Sequence, residues 1–492
     1  MTAFVGVDIG TSSGKGVLVD GDGRLLATAV REHEVRRPYP GHVEMDGELW
    51  WTEFRDLAAE LTAARPDVPV TAVGVSGMGP CVLLTDGHGT PLRPAILYGV
   101  DTRATAEIDA LTAELGGADA ILEACGSVLS TQAVGPKLRW VAAHEPHVWA
   151  RARRLFMPAS WLAYKLTGRY TVDRHSASQC TPMFDRHTGG WHADWAPLLA
   201  ERLELPDLFW SDEIVGVVRE PVAGIPAGVP VVAGTIDAWA EAVSADAQNP
   251  GDLMLMYGTT MFLIATGREA STCPSMWGTV GAFRGSTNLA GGMATSGALT
   301  GWLRGLTGAG YADLLAEARA SGPGARGLLM LPYFAGERTP VLDPDARGMV
   351  AGLTVGHTRG DLYRAALEAT ALGVRHNVEV LRAAGAGVDR VVAVGGGTRG
   401  GLWTRIVSDV TGLAQAVPTV TIGASYGAAY LAARATTGAD IAAWNPPAHT
   451  VEPDPANRAG YDELYALYRD LYPATRTTAH ALAARQRAAA DL

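Results

Sequence analysis

FVGVDIGTSSGKGVLV, residues 4–19, decides the fold of this chain. An apolar segment enters a polar, glycine-rich turn and leaves it as a second apolar segment, which is typical of two strands joined in a hairpin. Glycines that let the backbone turn and approach a ligand stand at Gly10, Gly14 and Gly16. Hydroxyl and N–H groups that suit anionic oxygens come from Thr11, Ser12 and Ser13. The segment predicts a phosphate-binding hairpin, although an ordinary hairpin with a hydroxyl-rich turn fits the same residues.

Two charged residues extend this prediction. Lys15 adds a positive charge to the turn. Asp8 lies at the carboxyl end of the first predicted strand, where a divalent cation bound to phosphates would find a hard oxygen ligand. The turn is not a Walker A loop, because only three residues separate Gly10 from Gly14 and no Ser or Thr follows Lys15.

Composition excludes several classes of partner. A chain of 492 residues is too long for one hydrophobic core and predicts two domains. A net charge of −11 argues against nucleic acid or an anionic membrane surface as the main partner. The four cysteines lie far apart without zinc-ligand spacing, which favours a reducing compartment. The sequence has no leader pattern and no long apolar run, so we expect a cytoplasmic protein.

The pattern of the first half predicts an α/β domain. We expect strands at residues 3–9, 15–19, 24–30, 70–75 and 229–236, and helices at residues 50–64 and from Ala238 onward. The breakers Asn249, Pro250 and Gly251 then mark a boundary. The predicted domains are residues 1–248, with the first phosphate hairpin, the sugar side and the catalytic aspartate, and residues 249–492, with a second hairpin and the adenosine site.

The second half repeats the order of the first. LMLMYGTTMFLIAT, residues 253–266, is again strand, turn and strand, with Gly258, Thr259 and Thr260 in the turn. Helices at 298–306, 361–382 and 402–411 and a strand at 391–395 follow. Two halves that each open with such a hairpin predict duplicated α/β domains that close on a ligand. A stripe of aromatic residues over 461–472 has helical spacing and predicts packing.

The glycine run at Gly395–Gly400, GGGTRG, fits the dinucleotide fingerprint GxGxxG. That fingerprint also needs an acidic residue about twenty positions later, and the segment from Ala414 supplies none. We therefore interpret Gly395, Gly396 and Gly397 as a tight turn against an adenine or a ribose.

Asp237 stands at a predicted strand-to-helix junction beside the domain boundary. A carboxylate there could be a helix N-cap. It could equally be a general base, because phosphoryl transfer needs a group that takes the proton of the acceptor hydroxyl. The turn with Tyr98, Asp101 and Arg103 combines polar groups with an aromatic face, as a sugar requires, although a solvated Asp/Arg turn is the alternative.

Together these residues resemble the FGGY family of carbohydrate kinases, in the fold group of actin, hexokinase and the heat-shock ATPases. The resemblance spans the whole chain. GMVAGLTVGHTRGDLYRAALE, residues 348–368, meets every position of the family's C-terminal signature. Further matches are DIGTSSGK from Asp8, PKLRW from Pro136, MYGTT from Met256, LPYFAGERTP from Leu331 and GGGTRGGLW from Gly395.

The resemblance implies two ribonuclease-H-like domains with a central ATP and sugar cleft. It implies that Asp237 is the catalytic base and that Asp8 lies near Mg²⁺. It assigns the ATP phosphates to both hairpins, and the nucleotide's base and ribose to Gly297 and Gly395–Gly397. It assigns the sugar to Asp101 and Arg103, with Met78, Gly79, Pro80 and Tyr98 as neighbours.

Among family members the xylulose kinases are the most similar, which implies phosphorylation of D-xylulose at its 5-hydroxyl. The chain departs from them at Ser76–Cys81, where SGMGPC stands in place of SGQMHG. Loss of the histidine would alter which hydroxyl pattern is accepted, so ribulose, other ketoses, erythritol and glycerol stay as alternatives. An actin-like conformational ATPase and a nicotinamide oxidoreductase are alternatives of other classes. A homodimer is left open.

Overall fold

The computed structural model describes residues 2–490. The chain divides into two compact units. The first contains the chain up to Asn249 together with Arg268–Asn288 and Ile422–Pro446. The second contains Pro250–Gly267, Leu289–Thr421 and Pro447 onward. The sequence predicts a single division between residues 248 and 249. In the structure the first unit also includes two segments from later in the chain.

The strands are numbered in chain order. They are β1 Ala3–Ile9, β2 Ser13–Asp20, β3 Leu25–Glu32, β4 Glu44–Met45, β5 Val70–Gly77, β6 Leu83–Thr85, β7 Ala95–Ile96, β8 Arg154–Phe156, β9 Thr171–Asp173, β10 Phe184–Asp185, β11 Gly190–Trp191, β12 Asp207–Phe209, β13 Ile214–Val217, β14 Pro230–Val232, β15 Thr235–Ile236, β16 Asp252–Tyr257, β17 Met261–Gly267, β18 Trp277–Val280, β19 Thr287–Met293, β20 Leu329–Leu331, β21 Met349–Ala351, β22 Arg390–Val394, β23 Gln415–Pro418 and β24 Pro447–Val451.

The helices follow the same convention. They are α1 Gly47–Ala64, α2 Thr105–Glu114, α3 Ala118–Cys125, α4 Val134–His144, α5 Pro146–Arg151, α6 Pro158–Thr167, α7 Arg174–Ser178, α8 Trp195–Leu199, α9 Asp237–Ser244, α10 Gly297–Thr307, α11 Tyr311–Ser321, α12 Arg359–Ala383, α13 Leu402–Thr411, α14 Ala424–Thr437, α15 Ile441–Trp444 and α16 Arg458–Ala490, with short 3-10 turns at Ala325–Gly327, Gly396–Gly400 and Pro455–Asn457.

The central sheet of the first unit has the order β13-β14-β5-β1-β2-β3, with β15 also paired to β5. β1 and β2 form the antiparallel hairpin predicted from residues 4–19. β5 runs parallel to β1 on its other side. Every residue of β1 is buried, which explains why the strand carries no polar side chain except Asp8.

The predicted strand at residues 229–236 is two strands. Gly234 separates β14 from β15 and has a φ of +71°, which a continuous strand cannot accommodate. A Cβ on Gly234 would lie 1.9 Å from the carbonyl oxygen of Val75. Because of this break, β14 and β15 pair with successive parts of β5. Val231 of β14 lies opposite Val73, and Thr235 of β15 lies opposite Ser76.

Helix α14 packs directly on β1 and β5. A Cβ on Gly6 would lie 2.0 Å from the carbonyl oxygen of Ser425, and a Cβ on Gly74 would lie 1.8 Å from that of Ala428. Gly427 lies on the helix itself, and a Cβ there would lie 1.9 Å from the carbonyl oxygen of Ala240. These glycines let backbone meet backbone with no side chain between them.

The second unit repeats the hairpin arrangement. β16 and β17 form an antiparallel hairpin, and β22 runs parallel to β16 on its other side. β23 and β24 continue the sheet. The second hairpin predicted from the sequence is therefore present, with the polar turn between Tyr257 and Met261.

The aromatic stripe lies on α16 and packs as predicted. Tyr461, Tyr465 and Tyr468 are buried. The hydroxyl of Tyr461 donates to Glu368 at 2.8 Å, and the hydroxyls of Tyr468 and Tyr333 are 3.0 Å apart. Within residues 2–490, no helix combines the length and the apolar character that crossing a membrane requires.

Gly74 offers a test of the helix-on-sheet contact. Gly74→Ala should destabilise the protein by ~2 kcal/mol or more, because the added methyl group meets backbone that cannot rotate away. Gly87→Ala is the control, since its nearest neighbour would be the side chain of Arg153 at 3.9 Å. Urea unfolding followed by tryptophan fluorescence compares the two, and equal midpoints would contradict the tight contact.

Candidate active site

Three parallel strands end at one edge of the first unit's sheet. In the strand register Asp8 of β1 lies opposite Ser76 of β5, and Ser76 lies opposite Thr235 of β15. Asp237 follows β15 directly. The Ser76 hydroxyl donates to Asp8 Oδ1 at 2.9 Å. Ligands of open α/β sheets bind outside the carboxyl ends of the strands, so this edge is the candidate active site.

Asp237 is the first residue of α9 and not its N-cap, a position that Ile236 occupies. Its Oδ1 accepts a hydrogen bond from the backbone N–H of Ala238 at 2.8 Å. An N-cap carboxylate would accept from an N–H two or three residues further on. Helix capping, the alternative function of this residue, is therefore not what the structure shows.

The residues on either side of Asp237 are held firmly. The Thr235 hydroxyl donates to Asp173 Oδ2 at 2.9 Å, and the indole N–H of Trp239 donates to Asn288 Oδ1 at 3.0 Å. The Trp239 ring also lies 3.9 Å from the ring of His175. Burial lowers the pKa of His175 to about 3, so this imidazole is neutral and packs as an aromatic ring.

Carboxyl groups outnumber cations at this edge. Burial raises the pKa of both Asp8 and Asp237, and the charge of Asp237 raises that of Asp8 further. Burial also raises the pKa of Glu241 to about 7, while Lys15 acts in the opposite direction. Desolvated carboxyl groups with one nearby lysine leave negative charge that a bound cation or a proton would offset.

Glu241 was not identified from the sequence. It lies one helical turn after Asp237 on α9, so both side chains lie on one face of the helix. The backbone N–H of Ala424 donates to its carboxylate. A Cβ on Gly423 would lie 2.1 Å from Glu241 Oε2. The sequence feature that could have identified Glu241 is DAWAE, in which a second acidic residue follows Asp237 by four positions.

The turn of the first hairpin meets two residues assigned to the sugar. The hydroxyls of Thr11 and Tyr98 are 2.9 Å apart, and the Thr11 hydroxyl lies 3.7 Å from the sulfur of Met78. Ser12 and Lys15 are exposed, and Ser13 is half-buried. His33 supports the turn from inside, with Nε2 3.0 Å from the Gly10 carbonyl oxygen and Nδ1 2.7 Å from Glu53.

The segment Ser76–Cys81 adjoins β15, the strand that Asp237 follows. The backbone N–H of Met78 donates to the Ile9 carbonyl oxygen at 2.8 Å. A Cβ on Gly79 would lie 2.7 Å from the side chain of Ile236. Pro80 follows, buried. Met78, Gly79 and Tyr98 thus lie near the same strand ends as Asp8 and Asp237.

Asp101 and Arg103 are engaged with the protein. Asp101 is 1% exposed, and Arg103 donates to its carboxylate at 2.7–3.0 Å. The backbone N–H of Val43 donates to the same group at 2.6 Å. Arg103 also lies 2.9 Å from Glu44 and over the ring of Trp140. These contacts hold the loop after β7, and contact of either residue with a sugar stays a prediction.

The nucleotide-side residues meet within the second unit. The backbone N–H of Gly297, at the start of α10, donates to the carbonyl oxygen of Gly258 at 2.9 Å. The N–H groups of Ser296 and Ala298 donate to the carbonyl oxygen of Thr259 at 3.1 and 3.0 Å. The turn Gly258–Thr260 is therefore held in place by the N-terminus of α10.

The glycine turn after β22 lies against the same hairpin. A Cβ on Gly395, where φ is +91°, would lie 2.7 Å from the carbonyl oxygen of Tyr257. A Cβ on Gly397 would meet both Tyr257 and the ring of Trp403. Gly396 has open space before it. A flat ligand could thus approach the bare backbone at this position.

Across residues 2–490, His, Cys, Asp and Glu side chains do not come together in threes in a way that could hold a metal ion by themselves. The chemistry of the donor set still suits Mg²⁺, because this ion commonly uses one or two carboxylates and takes its other ligands from water and substrate phosphates.

The fold and these strand ends suit phosphoryl transfer, and comparison with known proteins identifies the class of the protein. The model of the FGGY family of carbohydrate kinases matches residues 3–244 with its N-terminal domain and residues 253–436 with its C-terminal domain. The chain belongs to this family. It is a carbohydrate kinase, which transfers a phosphoryl group to an alcohol, and kinases of this family use ATP. The alternative functions considered from the sequence, a conformational ATPase and a nicotinamide oxidoreductase, are therefore set aside.

Individual relatives are similar over most of their length. The xylulose kinase of Escherichia coli is 29% identical, with 95% of this chain and 98% of the relative covered. The glycerol kinase of Nocardia farcinica is 33% identical, with 87% and 88% covered. The crystal structure of xylulose kinase from Rhodospirillum rubrum has a TM-score of 0.90 at 32% identity and covers 97% of this chain and 100% of its own.

Glu241 generates a prediction about stability and pH. Its pKa is raised from 4.5 to about 7, so the folded protein holds its proton more tightly than the unfolded chain does. The associated stability is complete below pH 4.5 and is lost as pH rises through about 7. Glu241→Gln should therefore match the parent protein near pH 4.5 and exceed its stability by up to ~3 kcal/mol at pH 8.

Urea unfolding with EDTA and without nucleotide measures this difference at several pH values. Glu220→Gln is the matched control, because Glu220 is exposed on the same unit, and it should show no pH-dependent gain. Equal stability of Glu241→Gln and the parent at pH 8 would contradict the assigned burial cost.

Proposed function

We propose that this carbohydrate kinase phosphorylates a five-carbon ketose, with D-xylulose as the substrate and its 5-phosphate as the product. The observation that carries the proposal is the convergence of Asp237 with Met78, Gly79 and Tyr98 at the strand ends that also hold Asp8. Full-length relatives named xylulose kinase support the choice of substrate. The similar glycerol kinase makes a polyol the second candidate.

Asp237 is the general base in this proposal. Its carboxylate takes the proton of the sugar hydroxyl as that oxygen attacks the terminal phosphorus of ATP. Burial raises its pKa, which brings a carboxylate closer to the basicity that proton abstraction near neutral pH requires. The bond from Ala238 N–H and the fixed neighbours Thr235 and Trp239 hold the group in one orientation.

The two hairpins bind the phosphates of ATP. In the first, Thr11, Ser12, Ser13 and Lys15 offer hydroxyl, N–H and ammonium donors. In the second, Gly258, Thr259 and Thr260 lie against the N-terminus of α10. The adenosine lies against the turn Gly395–Gly397, where the space before Gly396 is open.

Mg²⁺ fits the first hairpin. Asp8 is buried, and one of its carboxylate oxygens accepts a hydrogen bond from the Ser76 hydroxyl. Burial and the charge of Asp237 raise the pKa of Asp8, and a bound divalent cation would offset that negative charge. Asp8 would hold the ion, and the ion would supply electrostatic stabilisation of the phosphate charge during transfer.

A substitution of the base tests the mechanism. Asp237→Asn should lower kcat for sugar phosphorylation by about 10²–10⁴-fold, because an amide cannot accept the proton. Affinity for ATP, measured by calorimetry with a nonhydrolysable analogue, should change little. Asp207→Asn, at an exposed aspartate of the same unit, is the control and should keep full turnover. Near-normal turnover of Asp237→Asn would refute its role as base.

A substrate screen tests the choice of sugar. ADP release coupled to NADH oxidation should be stimulated most strongly by D-xylulose, less by D-ribulose and hexuloses, and least by erythritol and glycerol. The same ranking in kcat/KM is expected, since the segment Ser76–Cys81 and Tyr98 contact the sugar throughout the reaction. A polyol as the best acceptor would overturn the ketose assignment while leaving the kinase activity intact.

A further inference from the structure

One buried cation lies outside the groups that the proposed mechanism uses. Lys137 on α4 is 1% exposed, and its ammonium nitrogen has no hydrogen-bond partner among residues 2–490. An ammonium group removed from water costs several kcal/mol unless acceptors replace the lost hydration. A folded protein that retains such a group therefore needs an acceptor from elsewhere.

The titratable neighbours of Lys137 do not supply that acceptor. The groups that act electrostatically on it are Cys81, Asp101 and Arg103. The Asp101 carboxylate is already bonded to Arg103 and to two backbone N–H groups. Arg103 is itself a cation and repels the ammonium. Burial raises the pKa of the Cys81 thiol to about 12, so it stays neutral and donates weakly to the Met78 carbonyl oxygen.

These neighbours connect Lys137 to the candidate active site. Cys81 ends the segment Ser76–Cys81, lies beside the backbone of Tyr98 and is acted on by the charge of Asp237 as well as by Lys137. Lys137 and Asp101 also lie together in the wall of a narrow recess. Ser130 and Thr131 add hydroxyl groups to its wall. The unpartnered ammonium thus lies next to residues proposed to bind the sugar.

We propose that Lys137 is a substrate-binding residue whose ammonium group donates a hydrogen bond to an oxygen of the bound sugar. This inference rests on the proposed function, in which the acceptor alcohol binds beside Asp237, and it names a specificity group of that site. A polyhydroxylated substrate supplies the acceptor oxygen that the protein lacks. Lys137 takes no part in the transfer of the phosphoryl group, so its effect is on sugar binding.

A pH dependence follows for the wild-type enzyme. Burial lowers the pKa of Lys137 to about 8; Cys81 and Asp101 raise it, and Arg103 lowers it. The charged ammonium group is a stronger hydrogen-bond donor than the neutral amine. The kcat/KM for the sugar should therefore fall above pH 8 while the kcat/KM for ATP does not fall with it.

Lys137→Met is the decisive variant, because methionine keeps the length of the side chain and removes the charge. The KM for D-xylulose, or for the best acceptor of the screen, should rise ~10-fold or more, as expected for a lost charged hydrogen bond. The KM for ATP should stay within about 2-fold, and the decline of the sugar kcat/KM above pH 8 should disappear. The thermal midpoint should hold or rise, because an unpartnered charge is gone.

Lys165→Met is the matched control, since Lys165 lies on the same unit with its ammonium 3.1 Å from Glu48, and it should leave the sugar KM unchanged. An unchanged sugar KM in folded Lys137→Met would overturn the proposal and leave the kinase function standing. If the variant does not fold, the wild-type pH profile decides, and parallel profiles for sugar and ATP would equally overturn it. Absence of acceptor-stimulated ADP release in the wild type would instead contradict the proposed function.

Discussion

The parallel pairing of β1, β5 and β15 is the interaction on which the site depends. It sets Asp8, Ser76 and Thr235 side by side, and Asp237 follows at the next residue after β15. A shift of one residue in any of these strands would turn the functional side chain to the opposite face of the sheet. The register is protected by backbone contacts at Gly74 and Gly234, where a side chain cannot enter.

Charge is the second constraint on the site, because several carboxyl groups lie close together there. Asp8, Asp237 and Glu241 are held where burial makes ionisation unfavourable, with Lys15 as the opposing cation. A nucleotide would add more negative charge, so its binding is coupled to the arrival of a cation. The raised basicity of Asp237 belongs to the same environment, which means that the pKa values of Asp237, the proposed base, and Asp8, the proposed metal-binding residue, cannot be tuned independently.

Much of the fold could be predicted from the sequence because the decisive features are local. Both hairpins follow from glycines and hydroxyl residues between apolar strands, and α9, α10, α12 and α13 follow from periodicity and breakers. The break at Gly234 was missed, since only the partner strand reveals that its backbone needs a positive φ. Glu241 and Lys137 were also missed as site residues. What distinguishes them is desolvation that the nearby opposite charges do not offset, which arises only when distant segments pack. The sugar contacts of Asp101 and Arg103 and the roles of the glycines stay predictions.

The first unit is assembled from chain segments that lie far apart in sequence. Helix α14 covers Gly6 and Gly74, yet it begins only at Ala424. During synthesis, strands β1 and β5 are therefore translated more than 300 residues before the helix that covers their face. The face over Gly6 and Gly74 carries bare backbone, because no side chain fits beneath the helix. Until α14 arrives, the nascent sheet must remain uncovered there, and the N-terminal half cannot complete its own fold.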